Sequence, residues 1–295
     1  MNFIARYTHW LHGKWPAGGV ERSPQIEEDG TTELKGVRVV GDLTGVPLLK
    51  FSADTGARAV QAILEESDFK AGAGKDAGIY DLAIVGAGVA GLSAAVEAKK
   101  AGLNFVLYEA DEAFSTIHNF PRKKPIYTYP TEMQQAGELR FESEVKEDLL
   151  EELKAQQDAR GIETTRAKVD NLTRESGTIT LNFTEGESAK AQRVIVAIGR
   201  TGNFRKLNVP GETLDKVANR LLDPEAHAGE NVLVVGGGDS ALEAALSLAE
   251  ADAEVTLSYR RQEFSRAKAE NVERLKALEA EGKISLRLGT NVQEI

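Results

Sequence analysis

Two glycine-rich turns carry the residue types and spacing that hold phosphate groups. The first reads Gly86-Ala87-Gly88-Val89-Ala90-Gly91, a G-x-G-x-x-G spacing; the second reads Gly236-Gly237-Gly238-Asp239-Ser240-Ala241, with alanine in the third small position. In this spacing the first glycine permits a tight turn and the second lets the backbone approach a pyrophosphate. The third small residue lets a helix pack closely on the preceding strand. The helix start that follows offers unpaired N–H groups and a positive dipole end to the phosphates.

The strands that follow the two turns end in opposite charge. Glu109 closes the first, about 20 residues beyond the turn, where a carboxylate can accept hydrogen bonds from a ribose diol. The second ends at Tyr259, followed by Arg260 and Arg261, with Arg266 close behind. A carboxylate there would repel a ribose 2′-phosphate, whereas arginines hold it through charge-assisted, often bidentate hydrogen bonds. The second turn is therefore expected to prefer NADPH to NADH, the competing reading being a solvated basic turn.

These residues need elements to position them. Residues 79–85 read as a strand, 90–101 as a helix and 104–108 as a second strand, a βαβ unit. The pattern returns at 231–235, 240–251 and 254–259, so one nucleotide-binding device occurs twice. Residues 143–160 read as an acidic helix, and the alternating stretch near 178–183 as a strand. Residues 71–78 (AGAGKDAG) are small and glycine-rich, and are expected to be a flexible connection. The fold class implied is α/β, with two Rossmann-like, three-layer dinucleotide-binding domains, at 79–200 and 201–295.

Composition excludes several function classes. With 295 residues, 41% hydrophobic and 28% charged, the chain can build two domains with real cores. A net charge of −10 argues against nucleic acid as a partner, since phosphate backbones are met by basic faces. No apolar run approaches the roughly 20 residues that cross a bilayer. The first residues lack the pattern of a secretory signal, so a cytoplasmic location is expected. There is no cysteine, which removes disulfides, thiolate nucleophiles and thiolate metal sites from this chain. His9 and His12 are expected to be packing or surface residues, leaving no metal site.

Further stretches extend the pattern: Val194-Ile195-Val196-Ala197-Ile198-Gly199-Arg200, Leu207-Asn208-Val209-Pro210-Gly211-Glu212, and the run from Gly236 to Ala245. On these motifs the chain from about residue 80 to 295 resembles the thioredoxin-reductase-like group of flavoproteins with two dinucleotide-binding domains. That group includes disulfide reductases and ferredoxin-NADP reductases. The resemblance implies that Gly86, Gly88, Gly91 and Glu109 bind FAD, and that Gly199 lies at the hinge, with Ile198 where threonine is usual. It implies an NADPH site of Gly236, Gly238, Asp239, Ser240, Ala241, Tyr259, Arg260, Arg261 and Arg266. It also brings Arg122, Lys123 and Lys124 near flavin phosphates or a substrate surface, the competing reading being a solvated loop. Tyr127 and Tyr129 read as candidates either to stack near a flavin or to pack in the core.

The sequence departs from the group in two ways. The C-x-x-C pair of the thioredoxin reductases is absent, and Val89-Ala90-Gly91 stands where other members carry a cysteine in the first turn. The order also differs. The element that normally closes the FAD site comes first, as Gly36 to Asp42, then Leu43 to Lys50, then a helix from about 51 to 65. Residues 1–70 are thus expected to complete the FAD domain in a circularly permuted chain. Asp42, beside Gly41, would accept from a ribityl hydroxyl, and the helix start at Leu49 and Lys50 would stabilise negative charge on the reduced ring. By the group's standard the chain ends early, as a piece of a longer protein would.

The activity implied is that of an NADPH:acceptor oxidoreductase. Hydride passes to flavin N5, and electrons then go directly to an electron-transfer protein or small molecule, with no catalytic side chain and no enzyme thiol. A homodimer is compatible with this reading, and an FAD-binding scaffold or redox sensor is the alternative. Losing a charge-assisted hydrogen bond costs about 1.5–3 kcal/mol. The double substitution Arg260→Ala/Arg261→Ala should therefore weaken NADPH far more than NADH in titration calorimetry. Equal losses would exclude the arginine assignment.

Overall fold

The computed structural model describes residues 24–126, 128, 130, 132–200 and 206–295. His9, His12, Tyr127 and Tyr129 lie outside the described residues. Those up to 200 form one compact unit and those from 206 onward another. Among the described residues, no helix is long and apolar enough to cross a membrane.

The first unit is built on a seven-stranded sheet in the order β4-β3-β2-β7-β6-β5, with β1 beside β7. The strands are β1 Val37–Val39, β2 Ile79–Val85, β3 Phe105–Glu109, β4 Thr165–Arg166, β5 Val169–Glu175, β6 Thr178–Phe183 and β7 Ala189–Val196. Its helices are α1 Leu49–Glu65, α2 Val89–Lys100, α3 Ser115–His118 and α4 Lys146–Ala159. Central β2 pairs in parallel with both β3 and β7, and its run Leu82-Ala83-Ile84 is fully buried, as a strand covered on both faces must be. The first helix, α1, packs on α2 closely enough that a Cβ at Gly56 would lie 2.2 Å from the Ala90 carbonyl oxygen.

The N-terminal strand joins this sheet in parallel register, Val37 opposite Val194 and Val39 opposite Val196. Beside it lies an ionic clasp. Arg38 and Arg193, with side chains only 9% and 6% exposed, both donate to Glu66, at 2.9 and 2.6 Å. Asp29 accepts from Arg38 and Asp68 from Arg193, each at 2.6 Å. The Arg193 guanidinium lies 5.5 Å from the centre of the Phe69 ring. Two buried cations are thus matched by three carboxylates, the condition under which burying charge is tolerable. The clasp joins β1, the end of α1 and β7.

Residues 71–78 depart from the flexible connection their composition suggests. They form turns and a 3-10 segment, Lys75–Ala77, inside the first unit. The buried carboxylate of Asp81 ties them down, accepting from Gly72 N at 2.7 Å, Asn104 N at 3.0 Å and Gln192 Nε2 at 2.8 Å. Gln192 also donates to the Lys70 carbonyl at 3.0 Å. Two of these donors are remote in sequence, which is why local composition misleads here.

The second unit contains β8 Asn231–Val235, α5 Asp239–Glu250, β9 Glu254–Tyr259, α6 Ala269–Ala280 and β10 Ile284–Leu288. Its strands run parallel in the order β10-β9-β8. Leu242, Leu246, Val255, Leu257, Leu275 and Ile284 fill its core. Each unit is α/β and carries the Rossmann-like strand–turn–helix–strand device.

Removing one partner from a buried ion cluster leaves an unmatched charge, at a cost of about 3 kcal/mol. Urea denaturation of Glu66→Ala should show a loss of that order, and a change below about 1 kcal/mol would show the clasp to be incidental. Hydrogen bonding from Thr31, with a further contribution from Arg38, lowers the Asp29 carboxyl to about 2. A carboxyl lowered on folding stabilises fully above its unfolded value near 4, and that contribution is lost as pH falls through the folded value. Asp29→Asn should flatten the stability profile between about pH 4 and 2.

Candidate dinucleotide-binding sites

The first cradle is the turn between β2 and α2. Gly86 takes a φ of +106°, and a Cβ there would lie 2.5 Å from the Ala197 carbonyl oxygen. At Gly91 a Cβ would lie 1.8 Å from the Gly86 carbonyl oxygen, so strand end and helix start could not meet. These two glycines are required by the protein's own packing. Gly88 is different: its φ is −80°, open to any residue, and a Cβ there would meet no atom within 4 Å. The space in front of Gly88 fits an approaching ligand. It is the N-cap of α2 and no side chain caps that helix, so the first-turn N–H groups suit an anion.

Glu109, at the end of β3, accepts from Ala87 N through Oε2 at 2.7 Å and from Asp111 N through Oε1 at 3.1 Å. Its carboxylate therefore lies against the turn. Phe114, which no sequence pattern marks, donates its N–H to the Ala87 carbonyl at 3.0 Å. Its side chain is buried and its φ is +58°, a left-handed conformation that a bulky residue adopts only when its surroundings enforce it.

The N-terminal block lies beside this cradle. Gly41 N donates to Thr55 Oγ1 at 2.9 Å, and a Cβ at Gly41 would lie 3.0 Å from the Ala90 methyl in the first turn of α2. Asp42 Oδ1 accepts from Ser52 Oγ at 2.8 Å, joining the Gly41-Asp42 pair to α1. Leu49 and Lys50 open α1, whose start has no side-chain cap. The Lys50 ammonium donates to the carbonyls of Pro130 and Met133, at 3.0 and 3.4 Å. Gly199 is half-buried just beyond β7.

The second cradle repeats the device. Gly236 and Ala241 face each other across the turn, while a Cβ at Gly238, the uncapped N-cap of α5, would meet nothing within 4 Å. Again the middle glycine faces open space. Tyr259 is buried at the end of β9, stacked on Phe264 with ring centres 5.4 Å apart and planes 2° apart. Arg260, Arg261 and Arg266 are exposed around this stack, and Arg261 donates to Ser265 Oγ at 3.1 Å. Ser240 is exposed in the first turn of α5. Asp239 points elsewhere: its Oδ1 accepts from Lys268 N at 2.8 Å and Asn271 Nδ2 at 2.9 Å.

Residues 83–295 match the pyridine nucleotide-disulphide oxidoreductase family. The chain belongs to that family. Its sequence is 33% identical over 196 residues to the ferredoxin–NADP reductase of Ignicoccus hospitalis, covering 66% of this chain and 61% of that protein. It is 26% identical to the bacilliredoxin reductase Bdr of Bacillus subtilis, covering 72% and 67% respectively. Among solved structures, the bacillithiol disulfide reductase Bdr (YpdA) of Bacillus cereus is similar, with a TM-score of 0.61 and 26% identity over 73% of this chain and 69% of that one. This member of the family thus spans about three fifths of the length of the Ignicoccus relative.

The contrast between Gly88 and Gly91 can be tested in this oxidoreductase-family chain. Gly88→Ala should melt like the parent when the two are compared as apoproteins, because a Cβ there meets no protein atom, yet lose most dinucleotide retention. Gly91→Ala should lower the melting temperature itself. If Gly88→Ala retained full cofactor content, the first cradle would not be a phosphate site.

Proposed function

We propose that the chain provides the FAD- and NADPH-binding core of an NADPH:acceptor oxidoreductase, with FAD at the first cradle and NADPH at the second. The observation that carries this reading is the pair of open middle glycines, Gly88 and Gly238, with opposite charge at matched strand ends. Glu109 suits an unphosphorylated ribose, and Arg260, Arg261 and Arg266 suit a 2′-phosphate. When bound, FAD would supply hydride acceptance from NADPH and electron transfer onward.

The chain's own residues bind and orient. Gly86 and Gly91 let the turn and helix pack, Gly88 leaves the turn open to a pyrophosphate, and Glu109 fixes that turn through Ala87 N. We place the FAD domain at 79–200, completed by 1–70 in permuted order, and the NADPH domain at 201–295. The parallel pairing of β1 with β7 and the contact of Gly41 with Ala90 support that arrangement. In it, Gly41 and Asp42 would meet the ribityl chain, and the start of α1 at Leu49 and Lys50 the ring. Gly236, Ser240, Ala241 and Tyr259 would line the nicotinamide dinucleotide, and Gly199 would serve as the hinge.

No cysteine is present, so this chain offers no thiolate to relay electrons, and they would pass straight to the acceptor. Relatives named ferredoxin–NADP reductase favour an iron–sulfur electron-transfer protein as that acceptor. Stopped-flow mixing with NADPH should bleach the flavin rapidly, unaffected by thiol reagents and without a thiolate–flavin charge-transfer band. Failure to bleach would replace this reading with a flavin-binding scaffold or sensor. Deleting residues 1–70 should yield protein without flavin, and stoichiometric FAD in that variant would exclude the permuted arrangement.

A further inference from the structure

Asp239 lies in the first turn of α5, beside the second cradle, where a carboxylate facing the ligand would oppose a pyrophosphate. Its Oδ1 instead accepts from Lys268 N at 2.8 Å and from Asn271 Nδ2 at 2.9 Å. Lys268 is the N-cap of α6, and Asn271, buried, lies in that helix's first turn. Both donors therefore mark the end of the loop that carries Arg260, Arg261 and Arg266.

The other end of the loop is fixed separately. Thr290 N donates to the Tyr259 carbonyl at 3.1 Å and Gly289 N to the Arg261 carbonyl at 3.0 Å. Between the two anchors, Phe264 stacks on Tyr259 and Ala267 is buried. Much of the rest of the loop is exposed. The Asp239 attachment ties the loop directly to the first turn of the phosphate-facing helix.

We propose that Asp239 is a positioning residue for recognition of the ribose 2′-phosphate. It fixes the arginine loop at a set distance from the N-terminus of α5, so that the 2′-phosphate and pyrophosphate subsites are spaced for one ligand. This rests on the reading of the second cradle as the NADPH site. Both hydrogen bonds go to a single oxygen, so an asparagine carbonyl could accept both and the negative charge itself is not needed. A residue that touched the nucleotide through its charge would behave differently.

The test uses the full chain and two probes, adenosine 2′,5′-bisphosphate and 5′-AMP, titrated calorimetrically. Wild-type protein should bind the bisphosphate more tightly. Asp239→Ala should weaken the bisphosphate roughly tenfold, with 5′-AMP changed by less than about twofold, and Asp239→Asn should restore the wild-type ratio. A wild-type preference that survives Asp239→Ala overturns the proposal alone. Equal loss of both probes overturns it too, by making Asp239 part of the nucleotide contact, as does an asparagine variant as weak as alanine. No wild-type preference overturns the NADPH reading, and the proposal with it. Should Asp239→Ala fail to fold, Asn271→Ala removes one donor and must give a smaller loss of the same selective kind; no selective loss overturns the proposal.

Discussion

The contact between the start of α2 and the end of β2 governs the first unit. With hydrogen in place of a side chain at Gly91, the helix approaches the Gly86 carbonyl closely enough to aim its N-terminus across the end of the strand. The residues proposed to meet a ligand at the first cradle are arranged around that close approach. Glu109 reaches the turn because β3 pairs with β2 in parallel, with Val85 opposite Tyr108 one residue before it. Phe114 is forced left-handed so that its N–H can meet the carbonyl of Ala87. The second unit repeats the geometry with alanine in the third position.

A second constraint comes from the order of the chain. The N-terminal strand of the first unit pairs with one made much later, and this distant pairing is secured by charge. Arg38 and Arg193 come from adjacent strands, and like charges so close would repel without Glu66 between them. The clasp specifies which edge of the sheet β1 occupies as well as stabilising it, since its partners lie at that edge.

Much of this was legible in the sequence. The extents of β2 and β8 follow from apolar runs with glycine at or near their ends, that of β9 from the alternation of Val255, Leu257 and Tyr259, and the two turns from glycine spacing; α2 and α5 each begin one residue before their read positions. What was hidden depends on residues remote in sequence. Asp81 looks like an ordinary acid within a strand, and only the folded chain brings Gly72, Asn104 and Gln192 to it. Asp239 reads as part of a phosphate loop, and only the packing of α6 on α5 shows that it accepts from Lys268 and Asn271 instead. Phe114 carries no local signal, because its conformation is imposed by the neighbouring turn.

The pairing of β1 with β7 also has a consequence for synthesis. At about 5–20 residues per second, a ribosome needs on the order of 10 to 30 s after finishing β1 before β7 exists to receive it. Over that interval Arg38 has no Arg193 beside it, and β1 lacks the strand with which it pairs. Contacts this distant in sequence form late and slowly. The N-terminal strand of the first unit must therefore wait in an unfinished state, exposed to chaperones and proteases, until β7, far later in the chain, has been made.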